Sequence, residues 1–446
     1  MKKNTSNHQP TRVRFAILAA VFVNVVINYM DRSNISVAAP IISDEFKLTS
    51  LQLGLIFSAF GWTYAALQIP GGILADRFGP RILYAITLVM WSTVTLLQGF
   101  AKGFVALFGL RLAIGVFEAP SYPTNNRIVT AWFPDHERAS AIAMYTSGQY
   151  IGLAFLAPAL TALEHYAGWK GLFIITGLVG IVWGICWYFI YRDPAEHAGA
   201  NKAELDHIER GGGLVNKKNG GDKKNGSSEF QWSNLKEVFI HRKLWGIYIG
   251  QFAIGGTLWF FLTWFPTYLV KYRGLNFLQS GYLASAPFLA AFAGILLSGF
   301  LSDYMIRKKV STDIARKTPV IIGLLLSMSI VGANYVNSPA LIIFFMCISF
   351  FGNGFASITW IFVSTLAPGH LVGLTGGVFN CIGNLSGIVV PIAIGYLASD
   401  GHFAPALILV AALGLAGALS YIFLVGKVER IEIEEKNKIM KMPEDI

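Results

Sequence analysis

An all-α integral membrane protein with twelve transmembrane helices is predicted by three features of this 446-residue chain. It is 54% hydrophobic and only 13% charged, with a mean hydropathy of +0.54. A soluble protein of this length carries roughly a quarter charged residues, so no aqueous core hides this much apolar sequence. Apolar runs of about 20 residues, long enough to cross a bilayer, recur from end to end. The basic residues between them fall almost wholly on alternate loops.

The runs lie near 13–37, 51–73, 82–100, 104–129, 139–161, 170–191, 242–269, 279–302, 318–336, 339–366, 371–397 and 404–426. The first carries Asp31–Arg32 and no small-residue cleavage site, so it reads as a retained helix rather than a leader. One set of loops holds Lys2, Lys3, Arg12, Arg14, Arg77, Arg81, Arg138, ten basic residues in 192–243, Arg307, Lys308, Lys309, Arg316, Lys317 and five in 427–441. The opposite set holds only Lys47, Lys102, Lys170, Lys271 and Arg273. The positive-inside rule therefore places both termini in the cytoplasm, which requires an even number of spans. Twelve satisfies it. The net charge of +10 is then a topology signal with affinity for anionic lipid, not the footprint of a nucleic-acid partner.

Several chemistries are excluded. Cys186, Cys347 and Cys381 lie within spans at no motif spacing and read as small packing residues. All eight histidines fall in loops or tails, for example His136, His165 and His370, so no metal site is expected. No phosphate-binding glycine loop is present. With no nucleophile–base pair either, the chain reads as neither enzyme nor ATP-driven pump, and no cofactor is expected.

A polar stretch, 192–241, divides the spans six and six. It contains a short helical pattern, NKAELDHIERGGGL, then KKNGGDKKNGSSEF, a flexible linker by composition. The expected organisation is a cytoplasmic tail 1–12, a bundle 13–191, the loop 192–241, a second bundle 242–426 and a cytoplasmic tail 427–446. The halves echo each other. GGILADRFGPR after span two, with Gly72, Asp76, Arg77, Gly79 and Arg81, matches SGFLSDYMIRKK after span eight, with Gly299, Asp303, Arg307 and Lys308. WFPDHERASAIAMYTSGQ…LAP matches LAPGHLVGLTGGVFNCIGN…VVP, pairing Pro134 with Pro368, His136 with His370 and Pro158 with Pro391. Parallel six-helix repeats imply two bundles related by a pseudo-twofold axis.

Ionisable residues deep in the spans are few, and a charge at the bilayer centre costs about 2.5–3.5 kcal/mol even on the lenient scale. Span one places Asp31 beside Arg32. In span four Arg111 and Glu118 stand seven residues apart, nearly two turns, so both project from one face about 10 Å apart. Pro120 and Pro123 should bend that helix just past Glu118. Two acids and two bases make an electroneutral cluster if both spans face one watery cavity. Arg32 is the expected partner of a substrate carboxylate, since its planar fork fits one bidentately. Asp31 and Glu118 are the expected proton acceptors, with Arg111 modulating them. An anion on Arg32 would release Asp31 from that partner and favour its protonation. Polar and aromatic residues in other spans, namely Tyr29, Asn34, Tyr64, Gln149, Gln251, Ser357, Thr359, Trp360, Asn380 and Asn384, offer donors and acceptors suited to hydroxyl groups.

The loop G-x-x-x-D-R-x-G-x-R after span two resembles the signature of the major facilitator superfamily, with a degenerate copy in the second half. In that reading Asp76, Arg77, Arg81 and Asp303 control the cytoplasmic gate by meeting neighbouring helix ends. NYMDRSNISVA, FSAFGWTYAALQIPGGILADRFG, GVFEAPSYPTNNRIVTAWFPDHERASA, YTSGQYIGLAFLAP, FGNGFASITW and LTGGVFN resemble the anion:cation symporter family over about residues 12–430. The resemblance implies a bacterial inner-membrane carrier that is monomeric, needs no cofactor and takes up a sugar-acid anion with protons, D-galactonate foremost. It implies substrate contacts at Arg32, Tyr29, Tyr64, Gln149, Gln251, Ser357, Thr359, Trp360 and Asn380, and proton coupling at Asp31 and Glu118 linked by Arg111. GVFNCIGNLSGIVVPIAIGYLAS and LVGKVERIEI look more like glucarate carriers, so glucarate, galactarate or a hexuronate is the alternative cargo. A dicarboxylate wants a second cation, and beyond the two arginines Arg127 is the only other deep basic candidate, which favours a monocarboxylate. A transporter-like membrane sensor is the distant alternative, disfavoured by the short central loop and tail.

Overall fold

The computed structural model describes residues 9–215, 232–368 and 371–431, and among these there are helices and turns but no strand. The linker-like 217–230 and the segments 1–8 and 432–446 lie outside the described residues, as does His370 of the second echo. Val13–Glu45 forms span one. Ser50–Gln98 is two spans that reverse at Gly79, whose φ of 76° is open to a residue without Cβ. Its start is a capping box, with Thr49 and Gln52 exchanging hydrogen bonds. Span four is Phe104–Glu118 followed by Ser121–Trp132, broken at Ala119–Pro120 as its prolines predict. Asp135–Ile190 contains spans five and six, turning at Gly168 (φ 69°).

In the second half, Arg242–Trp259 continues through two π-helical stretches, Phe260–Trp264 and Tyr268–Tyr272, as span seven. Phe277–Arg307 and Thr312–Ser327 follow, the latter extended by a 3-10 stretch. Span ten is interrupted, Pro339–Phe355 and Trp360–Leu366 flanking a 3-10 turn at Ser357–Thr359. Val372–Leu397 and Ala404–Phe423 complete the set. The helical pattern in the central loop is the helix Lys202–Arg210, capped where Asn201 Oδ1 accepts from the Glu204 amide at 2.9 Å.

The twelve spans form two six-helix bundles. Large apolar side chains such as Phe155, Phe189 and Phe300 remain about 70% exposed, the surface a lipid solvent selects. Between the bundles, span two packs on span eleven and span five on span eight, two contacts that a pseudo-twofold axis exchanges. Backbones meet closely there: a Cβ on Gly54 would stand 2.5 Å from the Pro391 carbonyl oxygen.

The bundle has a tail end, bearing both described termini, and a far end. At the far end Lys271 Nζ of span seven meets Asp44 Oδ1 at 2.6 Å and Ser43 Oγ at 2.5 Å on span one, and Tyr272 reaches Ser50 at 3.3 Å. Phe57 and Trp264 meet edge-on at 5.3 Å. These contacts draw the two halves together at the far end.

Candidate functional site

Charge inside a bilayer must be paired or hydrated, so the buried charges Asp31 and Arg32 of span one and Arg111 and Glu118 of span four define the site. Arg32 closes on Glu118, with Nε 2.6 Å from Oε1 and Nη2 on the same oxygen. Its guanidinium lies 4.7–4.8 Å from the ring centroids of Tyr29, Phe60 and Tyr64, a cation–π cage. Phe60 touches Trp259 of the other half at 6.2 Å, so Arg32 stands beside the interface between bundles. Asp31 turns inward instead. Its Oδ2 accepts from the Trp91 indole at 3.0 Å, and Asn34, which donates to Thr176 at 2.8 Å, lies 3.5 Å from Oδ1. Arg111 Nη1 donates to the Asp31 main-chain oxygen at 3.4 Å.

Two expectations are corrected here. Asp31 does not pair with Arg32, whose acid partner is Glu118. Successive residues on a helix point about 100° apart, so only one of the two faces the interface. The acids do not share an open watery chamber either. Asp31, Glu118 and Arg111 have no solvent exposure and Arg32 only 5%, because the aromatic cage of spans one and two closes over the Arg32–Glu118 pair and Asp31 lies inside the bundle against Trp91 and Asn34.

The polar candidates divide into four groups. Tyr29 and Tyr64 line the cage. In the C-terminal half Thr359 donates to Gln251 Oε1 at 2.9 Å, and Asn380 donates across the interface to Gln68 Oε1 at 3.1 Å. Asn384 is spent on the Asn380 main-chain oxygen at 3.0 Å. Trp360, half exposed, stands 5.0 Å from Phe379, just past the turn Ser357–Thr359 that interrupts span ten. Gln149 is half-buried on span five. Asn34 is buried inside the first bundle with Asp31 and belongs to no interface site. Gln68 was missed, although it follows Tyr64 by four residues and so shares its helix face.

A family model described as Major Facilitator Superfamily matches residues 21–312. The chain belongs to the major facilitator superfamily. It is a multi-pass membrane transporter and not an enzyme. It is 53% identical to the D-galactonate transporter of Escherichia coli O6:H1, across 95% of this chain and 98% of that one. With a probable galactarate/D-glucarate transporter of E. coli K12 it shares 42% identity, across 96% and 97%. Its fold matches a crystal structure of a bacterial homologue of the human lysosomal transporter Spinster, with a TM-score of 0.70, 20% identity and 93% and 95% coverage.

The superfamily's signature loops lie at the tail end. Asp76, on span two, is 3.7 Å from Arg127 Nη1 of span four, and Asp303, on span eight, is 3.6 Å from Arg316 of span nine. Each pair stays within its own bundle; the two aspartates correspond under the repeat, whereas their partners do not, span nine being the counterpart of span three. Arg81 Nε donates to the Tyr188 carbonyl at 3.0 Å, near the end of span six, and Arg77 lies over Phe78. A network that spacing did not disclose fastens the central-loop helix. Buried Glu204 accepts from the Arg14 guanidinium at 3.2 Å, which also reaches Glu137 at 3.0 Å. His136 and His207 stand 3.8 and 3.3 Å from that carboxylate. The no-metal expectation rested on histidines scattered along the chain, and the fold brings these two together.

Proposed function

We propose that this protein takes up D-galactonate with protons across the bacterial inner membrane, by alternating access between two rocking bundles, 13–191 and 242–426, with both termini cytoplasmic. The observation that carries the reading is the buried Arg32–Glu118 pair at the bundle interface. Near-full-length identity to a D-galactonate transporter supports the cargo.

Arg32 is the carboxylate ligand. While Glu118 is ionised it competes with the substrate for the guanidinium fork; once protonated, it leaves the fork to the incoming anion. Substrate and proton therefore favour each other's binding by the same coupling free energy. Asp31 is the second proton acceptor, and Arg111, which neighbours both acids, links them. Tyr29, Tyr64, Gln149, Gln251, Ser357, Thr359, Trp360 and Asn380 complete the sugar-acid site, and Asp76, Arg77, Arg81 and Asp303 work the tail-end gate. The carrier acts as a monomer with protons as its coupling ion and no cofactor.

Galactarate or glucarate is the second reading, favoured by the 42% identical relative. Arg127, the other deep base, is engaged by Asp76 and the Ala75 carbonyl, which favours a single carboxylate. Uptake of labelled D-galactonate into proteoliposomes should rise with an inward proton gradient, and equal uptake after the gradient is collapsed rejects symport. Thermal stabilisation by galactarate but not galactonate, across a panel of sugar acids, would replace the cargo.

A further inference from the structure

Asp31 and Glu118 are both fully buried, Glu118 behind the aromatic cage and Asp31 inside the bundle, which raises the question of how protons reach them. Span three supplies a face to follow. Tyr84, Trp91, Thr95 and Gln98 recur at i, i+7, i+11 and i+14, a single stripe on a helix. The Trp91 indole bonds Asp31, so the stripe looks onto that carboxylate. All four side chains are no more than 1% exposed. The Thr95 hydroxyl faces the Asp31 carboxylate without a well-formed hydrogen bond, and neither amide atom of Gln98 has a partner among the described residues. Gln98 is the last buried polar residue of the helix; Phe100, two residues on at the far end, is 63% exposed.

The opposite limb is similar. Asn28, on span one, neighbours Glu118, and Asn125, on span four, neighbours Tyr84. Both amides are fully buried, and apart from these neighbours, which they face without well-formed hydrogen bonds, neither they nor the Tyr84 hydroxyl has a side-chain partner among the described residues. Each such orphan costs about 1–3 kcal/mol in a dry site. A polar cavity with several partners instead holds water. In the C-terminal bundle the described orphans on Thr267, Asn353, Thr375 and Tyr421 are scattered over four spans without a carboxylate among them.

We propose that protons reach and leave Asp31 and Glu118 along a hydrated polar seam inside the N-terminal bundle, separate from the substrate passage, with Gln98 and Thr95 as its outer limb. This rests on the proton-coupled reading given above. A proton entering at the far end hops along water held by the Gln98 amide, which donates through Nε2 and accepts through Oε1 without itself changing charge. The Thr95 hydroxyl passes it on by accepting one proton and giving up another, and the Asp31 carboxylate takes it. Glu118 follows, and its proton leaves past Asn28 and Asn125 to the tail end, so one proton crosses with no net change in the relay.

The test compares wild type with Thr95→Val/Gln98→Leu and the polar control Thr95→Ser in proteoliposomes, using labelled D-galactonate and a trapped pH dye. The apolar variant should lose gradient-driven accumulation and substrate-dependent proton entry about tenfold, equivalent to 1.4 kcal/mol at the limiting step. Counterflow at equal pH, which needs no proton release, should keep its wild-type rate, and Thr95→Ser should behave as wild type. Wild-type accumulation by the apolar variant overturns the seam, and so does a parallel fall in counterflow, which marks these residues as packing. If wild type itself ignores the gradient, the symport reading fails instead.

Discussion

Arg32 binds Glu118 rather than its own neighbour Asp31, and the 2.6 Å contact ties span one to span four at the bundle interface. A buried ion pair adds little net stability, yet leaving one partner alone is costly. The pair therefore suits an exchange in which a substrate carboxylate takes the place of Glu118 as the acid is neutralised by a proton.

Glu118→Gln mimics the protonated acid permanently. It should abolish gradient-driven accumulation yet permit counterflow, because the carrier can exchange cargo without releasing a proton. Full accumulation by this variant, measured with labelled D-galactonate, removes Glu118 from the coupling.

Arg32→Ala should lose substrate binding and leave Glu118 buried and unpaired, at a cost of about 3–5 kcal/mol. Arg32→Lys keeps the charge without the fork and should bind more weakly than wild type. Substrate-induced thermal shifts read both. Unchanged affinity in Arg32→Ala moves the carboxylate ligand to Arg111.

Gly54→Leu should oppose closure of the far end, because its Cβ would meet the Pro391 carbonyl oxygen at 2.5 Å and its neighbouring backbone cannot yield. Spin labels on Leu51 and Tyr396, in a background without Cys186, Cys347 and Cys381, should report a longer distance between halves. An unaltered distance distribution refutes the packing argument.

Lys271→Ala removes the far-end ion pair with Asp44, whose side chain is 76% exposed. Such pairs contribute about 0.2–1 kcal/mol, so the conformational equilibrium should move by no more than about fivefold. The same label pair measures it, and a complete switch of population would mean that Lys271 does far more than latch the surface.

The span count, the two halves and the repeat were legible because lipid imposes length and polarity on every helix independently of its neighbours. The break after Glu118 was legible from Pro120 for the same local reason. The interruption of span ten at Ser357–Thr359 was not, since no proline sits there to announce it. The pairing of Asn380 with Gln68 was hidden as well, because the two lie 312 residues apart on different bundles. The resemblance in the motifs named residues, but a motif does not say which partner each side chain chooses.

By itself the sequence determined the solvent of this protein, the number of its spans, their duplication and the identity of the four charges that lipid would not tolerate unpaired. Those properties follow from composition and local spacing. Only tertiary structure decided that Arg32 holds Glu118, that Asp31 faces Trp91 inside the bundle, and that an aromatic cage closes over the Arg32–Glu118 pair. Direction around a helix and the packing of spans distant in sequence set those partners, and neither is written in any single segment.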